Sequence, residues 1–281
     1  MTVALEGGRV YVVATPIGNL EDLSPRAQRV LASVDWIACE DTRRTARLCS
    51  RFDIRTPRLS LHAHNERRRI PELVARLGAG ASLALVSDAG TPLISDPGAR
   101  LVEAAIEARI PVVPVPGPSA PLAALVASGL PALPFTCIGF LERRGGRRRS
   151  QLEALRQAPG TLIVFEAPGR VNATLRDLGR VLGNRRVAVA RELTKRYEQI
   201  VRGRLQSLEI SAERGEFTLV IAPGEPAPAA PGERELKEAI AELLDSGTTP
   251  RDAARILADR FGLARSDAYA RVQAELRARR G

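Results

Sequence analysis

The hydrophobic positions of this chain fall into short continuous runs over its first two thirds and into helical stripes near its end. Arg9–Ala14 (RVYVVA), Trp36–Cys39 (WIAC), Leu83–Val86 (LALV) and Ile110–Val115 (IPVVPV) are apolar without alternation, as strands covered on both faces are. Helical stretches separate them. Ser24 before Pro25 pairs an N-cap with a first helical residue and opens a helix to Ser33. Asp41 or Thr42 caps a helix containing Leu48, Glu66 and Arg67–Arg69 open one that Gly78 ends, and Ala99–Ala108 forms another. Leu59–Asn65 (LSLHAHN) alternates and is a strand or strand end. Strands and helices in alternation predict an open parallel α/β sheet.

Four loops then fall at carboxyl ends of strands: Thr15–Leu20, Glu40–Arg43, Ser87–Gly98 and Pro116–Ala120. Ligands of open α/β sheets sit at those ends, so the loops together predict one cleft. The richest is the stretch Leu83–Gly98, LALVSDAGTPLISDPG, with two Asp, two Gly and two Pro in its loop. Small residues here and at Pro116–Ala120 let backbone approach a ligand closely, and the following helix offers free N–H groups. None of the loops is GxGxxG or ends in GK[ST], which argues against a dinucleotide or ATP site. Glu40-Asp41-Thr42-Arg43, charged directly after a buried strand, suits a site or a simple helix cap.

Beyond Gly129 the pattern changes. Phe135–Leu141, Thr161–Phe165, Arg186–Ala190, Glu198–Arg204 and Phe217–Ala222 are strand-like, with helices over Ser150–Gln157 and up to Leu182, a mixed α/β arrangement. Pro223–Gly232 (PGEPAPAAPG) has linker composition. The chain beyond it is helical: Ala239, Ile240, Leu243 and Leu244, then Ala254, Leu257, Ala258 and Phe261, with Ser266 capping a last helix. The expected domains are 1–117, a parallel α/β domain; 118–224, a second mixed α/β domain completing the cleft; and 225–281, linker and helices. The last two helices, joined by a short Gly turn, have a helix-turn-helix shape that serves nucleic acid or plain packing.

Composition adds a partner. The 281 residues are 44% hydrophobic and 26% charged, a folded and not a disordered composition, and the net charge is +10. Only Lys195 and Lys237 are lysines, so Arg supplies almost all of the positive charge. Guanidinium forks suit phosphate, and Arg143, Arg144, Arg147, Arg148 and Arg149 crowd seven positions around two glycines, as a mobile phosphate-binding loop would. Three cysteines without CxxC spacing indicate neither a disulfide framework nor a zinc site. His62 and His64 have the spacing of two metal ligands but no third partner nearby, which leaves them as loop histidines. No secretory pattern opens the chain, and Ile110–Leu141, though free of charge, holds seven prolines that a spanning helix would not tolerate. A cytosolic protein with no membrane partner is expected.

Several motifs together resemble a known family. Ala14–Asp22 (ATPIGNLED), Glu40-Asp41-Thr42-Arg43, His64-Asn65-Glu66, Ser87-Asp88-Ala89-Gly90-Thr91-Pro92, Ser95-Asp96-Pro97-Gly98, Pro116–Ala120, Gly139-Phe140-Leu141, Ala190–Lys195 (ARELTK) and Gly215-Glu216-Phe217 occur in the order of the ribosomal RNA small subunit methyltransferase I group. That group belongs to the tetrapyrrole (corrin/porphyrin) methylase superfamily, and the resemblance spans about Arg9 to Ala222 with a similar helical tail. It implies S-adenosylmethionine bound between two α/β domains, a homodimer, and 2′-O-methylation of a cytidine ribose in 16S rRNA of the small ribosomal subunit, in the decoding region. It also implies donor binding by Pro16, Ile17, Ser87, Asp88, Ala89, Gly90, Pro92, Ser119 and Ala120, completed by Phe140, Leu141, Ala167 and Ala190. Asn19, Asp41, Arg43, Asp88, Glu166, Glu192 and Lys195 become catalytic or orienting candidates, with most weight on Glu192 and Lys195. The basic run and the tail would hold RNA. Two departures stand out: Arg44 replaces the usual His, and Phe165–Arg170 (FEAPGR) replaces a Tyr-Glu-Ser-Pro-His-Arg run. A corrin- or porphyrin-type small-molecule methylase would share the fold, with less use for five clustered arginines.

Overall fold

The computed structural model describes residues 8–211, 214–224, 233–261, 263 and 265–279. Its first sheet contains β1 (Arg9–Val13), β2 (Trp36–Cys39), β3 (Arg58–Ser60), β4 (Ser82–Leu85) and β5 (Val112–Val115) in the order β3-β2-β4-β1-β5, every pairing parallel. All carboxyl ends therefore point to one rim. Alternate residues of the strands face opposite cores. Tyr11, Val13, Ala84 and Val86 pack with α1 (Pro25–Ser33) and α2 (Thr42–Arg51), while Val10, Leu83 and Leu85 pack with α3 (Glu66–Gly78) and α4 (Ala99–Glu107). Burial on both faces is why these strands are uninterrupted apolar runs.

Pro114 occupies β5, an edge strand, where a missing N–H is tolerated. Ser24 caps α1 by accepting from the Ala27 N–H at 3.1 Å, and Asp41, of the two candidates, caps α2 by accepting from the Arg43 N–H at 2.8 Å. The strand expected over Leu59–Asn65 is only Arg58–Ser60. Asn65 bends the chain back by accepting from the His62 N–H and donating to the Ser60 carbonyl, so the alternation beyond Ser60 belongs to a turn.

The second sheet runs β6-β7-β10-β8-β9, with β6 (Phe135–Phe140) parallel to β7 (Thr161–Glu166) and the other pairs among β8 (Arg186–Arg191), β9 (Gln199–Arg204) and β10 (Phe217–Ile221) antiparallel. One face packs on α5 (Ala120–Ser128), the other on α6 (Gly145–Ala154) and α7 (Val171–Leu182). Both sheets belong to one unit, Met1–Pro223, and Gly224–Gly281 forms a second. In the latter, α8 (Glu233–Asp245), α9 (Pro250–Phe261) and α10 (Arg265–Ala278) enclose a core of Leu236, Ile240, Leu257, Phe261 and Val272. Thr249 caps α9 by accepting from the Asp252 N–H, whereas Ser266 lies inside α10 and is not its cap. The linker over 225–232 and Gly262 lie outside the described residues. Among the described residues no helix is long and apolar enough to cross a membrane.

The expected mobile basic loop is a correction. Helix α6 starts at Gly145, so Arg147, Arg148 and Arg149 are helical, and Arg148 turns inward on the stripe of Leu152 and Leu155. Its guanidinium binds Asp177 at 2.9 Å, donates to the Glu142 carbonyl at 2.9 Å and reaches the Thr174 hydroxyl at 3.0 Å. That hydroxyl donates to the buried Glu166 carboxylate at 2.6 Å. Arg148 therefore joins α6 to α7 and has no free fork for RNA. Removing it takes the shortest donor from Asp177 and from the Glu142 carbonyl, leaving Arg180 at 3.4 Å and Arg170 at 3.3 Å: Arg148→Ala should cost about 2 kcal/mol in denaturant unfolding, against roughly 0.5 kcal/mol or less for the exposed Arg147→Ala. Equal small losses would refute the network.

Candidate active site

The loops at the rim of the first sheet are tied to one another. Thr15 and Gly90 exchange backbone hydrogen bonds of 2.9 and 3.0 Å, the Thr15 hydroxyl donates to the Ser87 carbonyl, and the Thr91 hydroxyl donates to the Pro118 carbonyl at 3.0 Å. Glu66, from the His-Asn-Glu motif, is buried and accepts from the Gly98 N–H while pairing with Arg100, which ties α3 to the start of α4. These bonds hold the Ser87–Gly98 loop as a wall.

The second sheet closes on this wall at two places. At Gly139, a β-bulge residue with φ of +74°, a Cβ would stand 2.5 Å from the Ser95 hydroxyl. At Gly18 a Cβ would stand 2.8 Å from the Leu193 carbonyl and collide with the Lys195 side chain. Residues forced to positive φ gather there too: Leu93 and Ser95 beside the first junction, Glu192 and Thr194 at the second. Such strain persists where surrounding structure over-determines it, and it concentrates at functional sites.

Between the junctions lies a cavity of about 430 Å³, a size that suits a drug-sized organic ligand. Ile17, Asp88, Ala89, Gly90, Ser119 and Ala120 line it from the first half, and Phe140 and Ala167 from the second, all expected donor-site positions. Pro16, Ser87, Pro92, Leu141 and Ala190 are not on its wall; Ser87, Leu141 and Ala190 are buried behind it. Arg44, Thr91, Ser95, Asp96, Phe165, Glu216, Phe217 and Thr218 also line the cavity and were missed. Phe217 and Thr218 come from β10, which pairs with β7 across some fifty residues of sequence, a separation no local pattern bridges. Thr91, Ser95, Asp96, Glu216 and Phe217 did stand in quoted motifs, and Arg44 adjoins another.

Three groups of charge surround the cavity. Asp88 accepts from the Asp41 N–H at 3.1 Å and faces the Arg44 guanidinium at 3.4 Å. Asp41 is spent on its cap: the Arg43 N–H, then the Arg43 side chain, hold its carboxyl below the usual range, and Arg43 itself projects into solvent. Asn19 likewise caps a single turn, accepting from the Glu21 N–H. At the second junction Lys195 bridges Glu192 at 3.0 Å and Glu216 at 3.1 Å. Burial would lower the Lys195 ammonium, but its two carboxylate partners outweigh that and raise it; burial would raise Glu192, but Lys195 and the Glu216 N–H hold it low. Both are thus charged near neutrality. Glu166 lines the cavity, yet its carboxylate is occupied by Arg170 at 3.1 Å, by Thr174 and by the Ala167 N–H, which leaves it a strut and not a free base.

Asp96 differs from all of these. Burial pushes its carboxyl up to about 6, with the charges of Glu40 and Asp88 adding to the rise and a hydrogen bond with Ser87 opposing it. A folded-state value above the ordinary 3.8 means that the fold holds this proton more tightly than the unfolded chain. Its contribution to stability is fully present below about pH 4 and is lost as pH rises through about 6. Asp96→Asn should therefore raise the melting temperature at pH 8 more than at pH 4; a gain of equal size at both pH values would rule out a half-buried, ionising carboxyl.

Comparisons with known proteins agree with this fold. Residues 9–209 match the family model Tetrapyrrole (Corrin/Porphyrin) Methylases. A protein of Synechocystis named ribosomal RNA small subunit methyltransferase I is 47% identical, covering 93% of this chain and 96% of its own length. One of that name from Xylella fastidiosa (strain Temecula1) is 46% identical, with coverage of 93% and 98%. Among solved structures, uroporphyrin-III-C-methyltransferase from Thermus thermophilus superposes with a TM-score of 0.55 at 21% identity, over 76% of this chain and 94% of that one. A diphthine synthase superposes with a TM-score of 0.59 at 15% identity, over 76% and 89%.

Proposed function

The chain belongs to the tetrapyrrole (corrin/porphyrin) methylase family, within the group of ribosomal RNA small subunit methyltransferase I, and from that membership we propose that it transfers a methyl group from S-adenosylmethionine to a cytidine 2′-hydroxyl of 16S rRNA in the small ribosomal subunit. The observation that carries the reading is the cavity, enclosed by two sheets and walled by the loops that distinguish this group. The donor fits it. Ala89, Gly90, Ala120 and Ala167 are small enough for backbone to approach a flat nucleoside, Ile17 and Phe140 offer it apolar surface, and Asp88 and Ser119 offer polar partners. The bound donor supplies an activated methyl on its sulfonium, so the protein's work is alignment and handling of one proton.

For that proton Asp96 is the acceptor in this reading. It lines the cavity, and a carboxyl at about 6 is ionised near neutral pH yet more basic than an ordinary aspartate. Glu192 and Lys195, favoured from sequence, do not line the cavity and act as a charged pair that meets its wall through Glu216: Lys195, held by Glu192 and Glu216, orients the incoming ribose and phosphate. Arg44 pairs with Asp88, one of the two carboxylates whose charge adds to the rise of Asp96.

The donor cavity belongs to each chain, but we expect two copies. Leu122 and Val126, one turn apart on α5, are 49% and 77% exposed, and Leu133 is 80% exposed; exposed apolar faces of this kind are covered by a partner, most often a second copy about a twofold axis. Leu122→Glu with Val126→Glu should convert dimer to monomer in sedimentation, and a wild-type monomer at micromolar concentration would refute the pairing.

The function is tested with labelled donor on small subunits lacking the modification, followed by nucleoside analysis. The expected product is 2′-O-methylcytidine. Asp96→Asn should lower single-turnover rate about a hundredfold or more and remove the rise in rate centred near pH 6. Lys195→Ala should raise substrate KM and lower kcat/KM with the pH profile kept. Product on a tetrapyrrole and none on rRNA would overturn the assignment.

A further inference from the structure

The first sheet is covered by two helical faces of different charge. On one, α3 and α4 mix five Arg with four Glu, and two of those Arg are paired with Glu on the same face, Arg76 with Glu72 and Arg100 with Glu66. On the other, α1 and α2 carry Arg26, Arg29, Arg43, Arg44, Arg47 and Arg51, all exposed, and neither helix contains a carboxylate. A general bias towards arginine would load both faces alike and would not remove acids from one.

This face is also placed for the reaction. Helix α2 leaves the carboxyl end of β2 at Asp41, whose N–H donates to Asp88 on the cavity wall. Its first turn brings Arg44 to that wall, paired with Asp88 at 3.4 Å. From there Arg44, Arg47 and Arg51 follow at spacings of three and four, one stripe about 10 Å long that leads from the cavity mouth along the outer face. Arg43 is spent on Asp41. Among the described residues Arg26, Arg29, Arg47 and Arg51 have no salt bridge. The nearby acids lie outside the helices: Glu21 and Asp22 precede α1, Asp35 follows it and is engaged by Ser82, Glu40 and Asp41 precede α2 with Asp41 engaged by Arg43, and Asp53 beyond α2 is engaged by Arg55.

We propose that the α1–α2 face is the surface on which the rRNA backbone runs into the cavity, with Arg47 and Arg51 binding phosphates. This rests on the methyltransferase reading above and extends it, since neither helix was assigned to RNA from sequence. A row of unpaired, always-charged forks beside a site that acts on a ribose suits a polyanion, because the ribose is flanked by phosphates on both sides. It also accounts for the inward use of Arg148: the basic run of α6 supplies part of the packing, and the exposed charge nearest the cavity lies on α2.

The test uses the full chain, Arg47→Glu with Arg51→Glu, and a control reversal on α7, Arg176→Glu with Arg180→Glu, which changes net charge equally. Wild-type methylation of small subunits is established first; no product there would overturn the methyltransferase reading and is distinguishable from failure of this one. The α2 variant should bind protein-free 16S rRNA roughly tenfold or more weakly at about 0.15 M salt, and its slope of log affinity against log salt should be shallower by about 1.5. Donor affinity and melting temperature should be unchanged, and the α7 control should lose little. Unchanged rRNA affinity in the α2 variant, or equal losses in both variants, would overturn the proposal. So would a loss confined to intact subunits with protein-free rRNA bound as before, which would assign the face to an acidic ribosomal protein.

Discussion

The pair of backbone hydrogen bonds between Thr15 and Gly90 is the constraint on which the cleft depends. It joins the loop after β1 to the loop after β4 although no strand continues that far, and the Thr15 hydroxyl adds a third bond to Ser87. With β1 and β4 adjacent in the sheet, the two loops leave it side by side and the bridge keeps them so. Ile17 and the residues from Asp88 to Thr91 are thereby set on one wall, and Gly18 is carried to the 193–195 turn of the second sheet. Backbone bonds, helped by the Thr15 and Thr91 hydroxyls, hold this rim and leave the other side chains of the loops free to face a ligand.

Meeting surfaces of the two sheets are correspondingly bare. Gly18 and Gly139 allow backbone to approach within a distance that any Cβ would prevent, and the strained φ values of Ser95, Glu192 and Thr194 lie against them. The junctions therefore depend on exclusion of volume, and the Lys195 ion pairs with Glu192 and Glu216 brace the second sheet's side of one of them. Such contacts define the width of a cavity closely, because neither backbone has slack to yield.

The parallel sheet was legible in the sequence because strands buried on both faces are uninterrupted apolar runs, and the four rim loops were legible from their position after those runs. Caps were legible for the same local reason at Ser24 and Asp41. What escaped was whatever depends on pairing across distance or on the direction of one side chain. Phe217 and Thr218 reach the cavity only through the antiparallel pairing of β10. Glu166 looked like chemistry because it ends a strand, yet Arg170 and Thr174 close over it. Arg148 lay hidden among identical neighbours, though its spacing of four and seven from Leu152 and Leu155, both buried, marks the inward stripe of a helix.

Arg44 fixes the charge on one wall of the cavity. A histidine at this position would change its charge between pH 5 and 8 and would make the field on Asp88 follow pH. A guanidinium stays charged throughout, so the Arg44–Asp88 pair contributes a constant field on that wall. The ionisation near neutrality then falls to Asp96, whose carboxyl is lifted to about 6 by burial and by the neighbouring charges of Glu40 and Asp88. One exposed arginine thus pairs with an acid on the cavity wall while heading the basic stripe of α2, which joins the charge that faces the cavity to the charge that faces solvent.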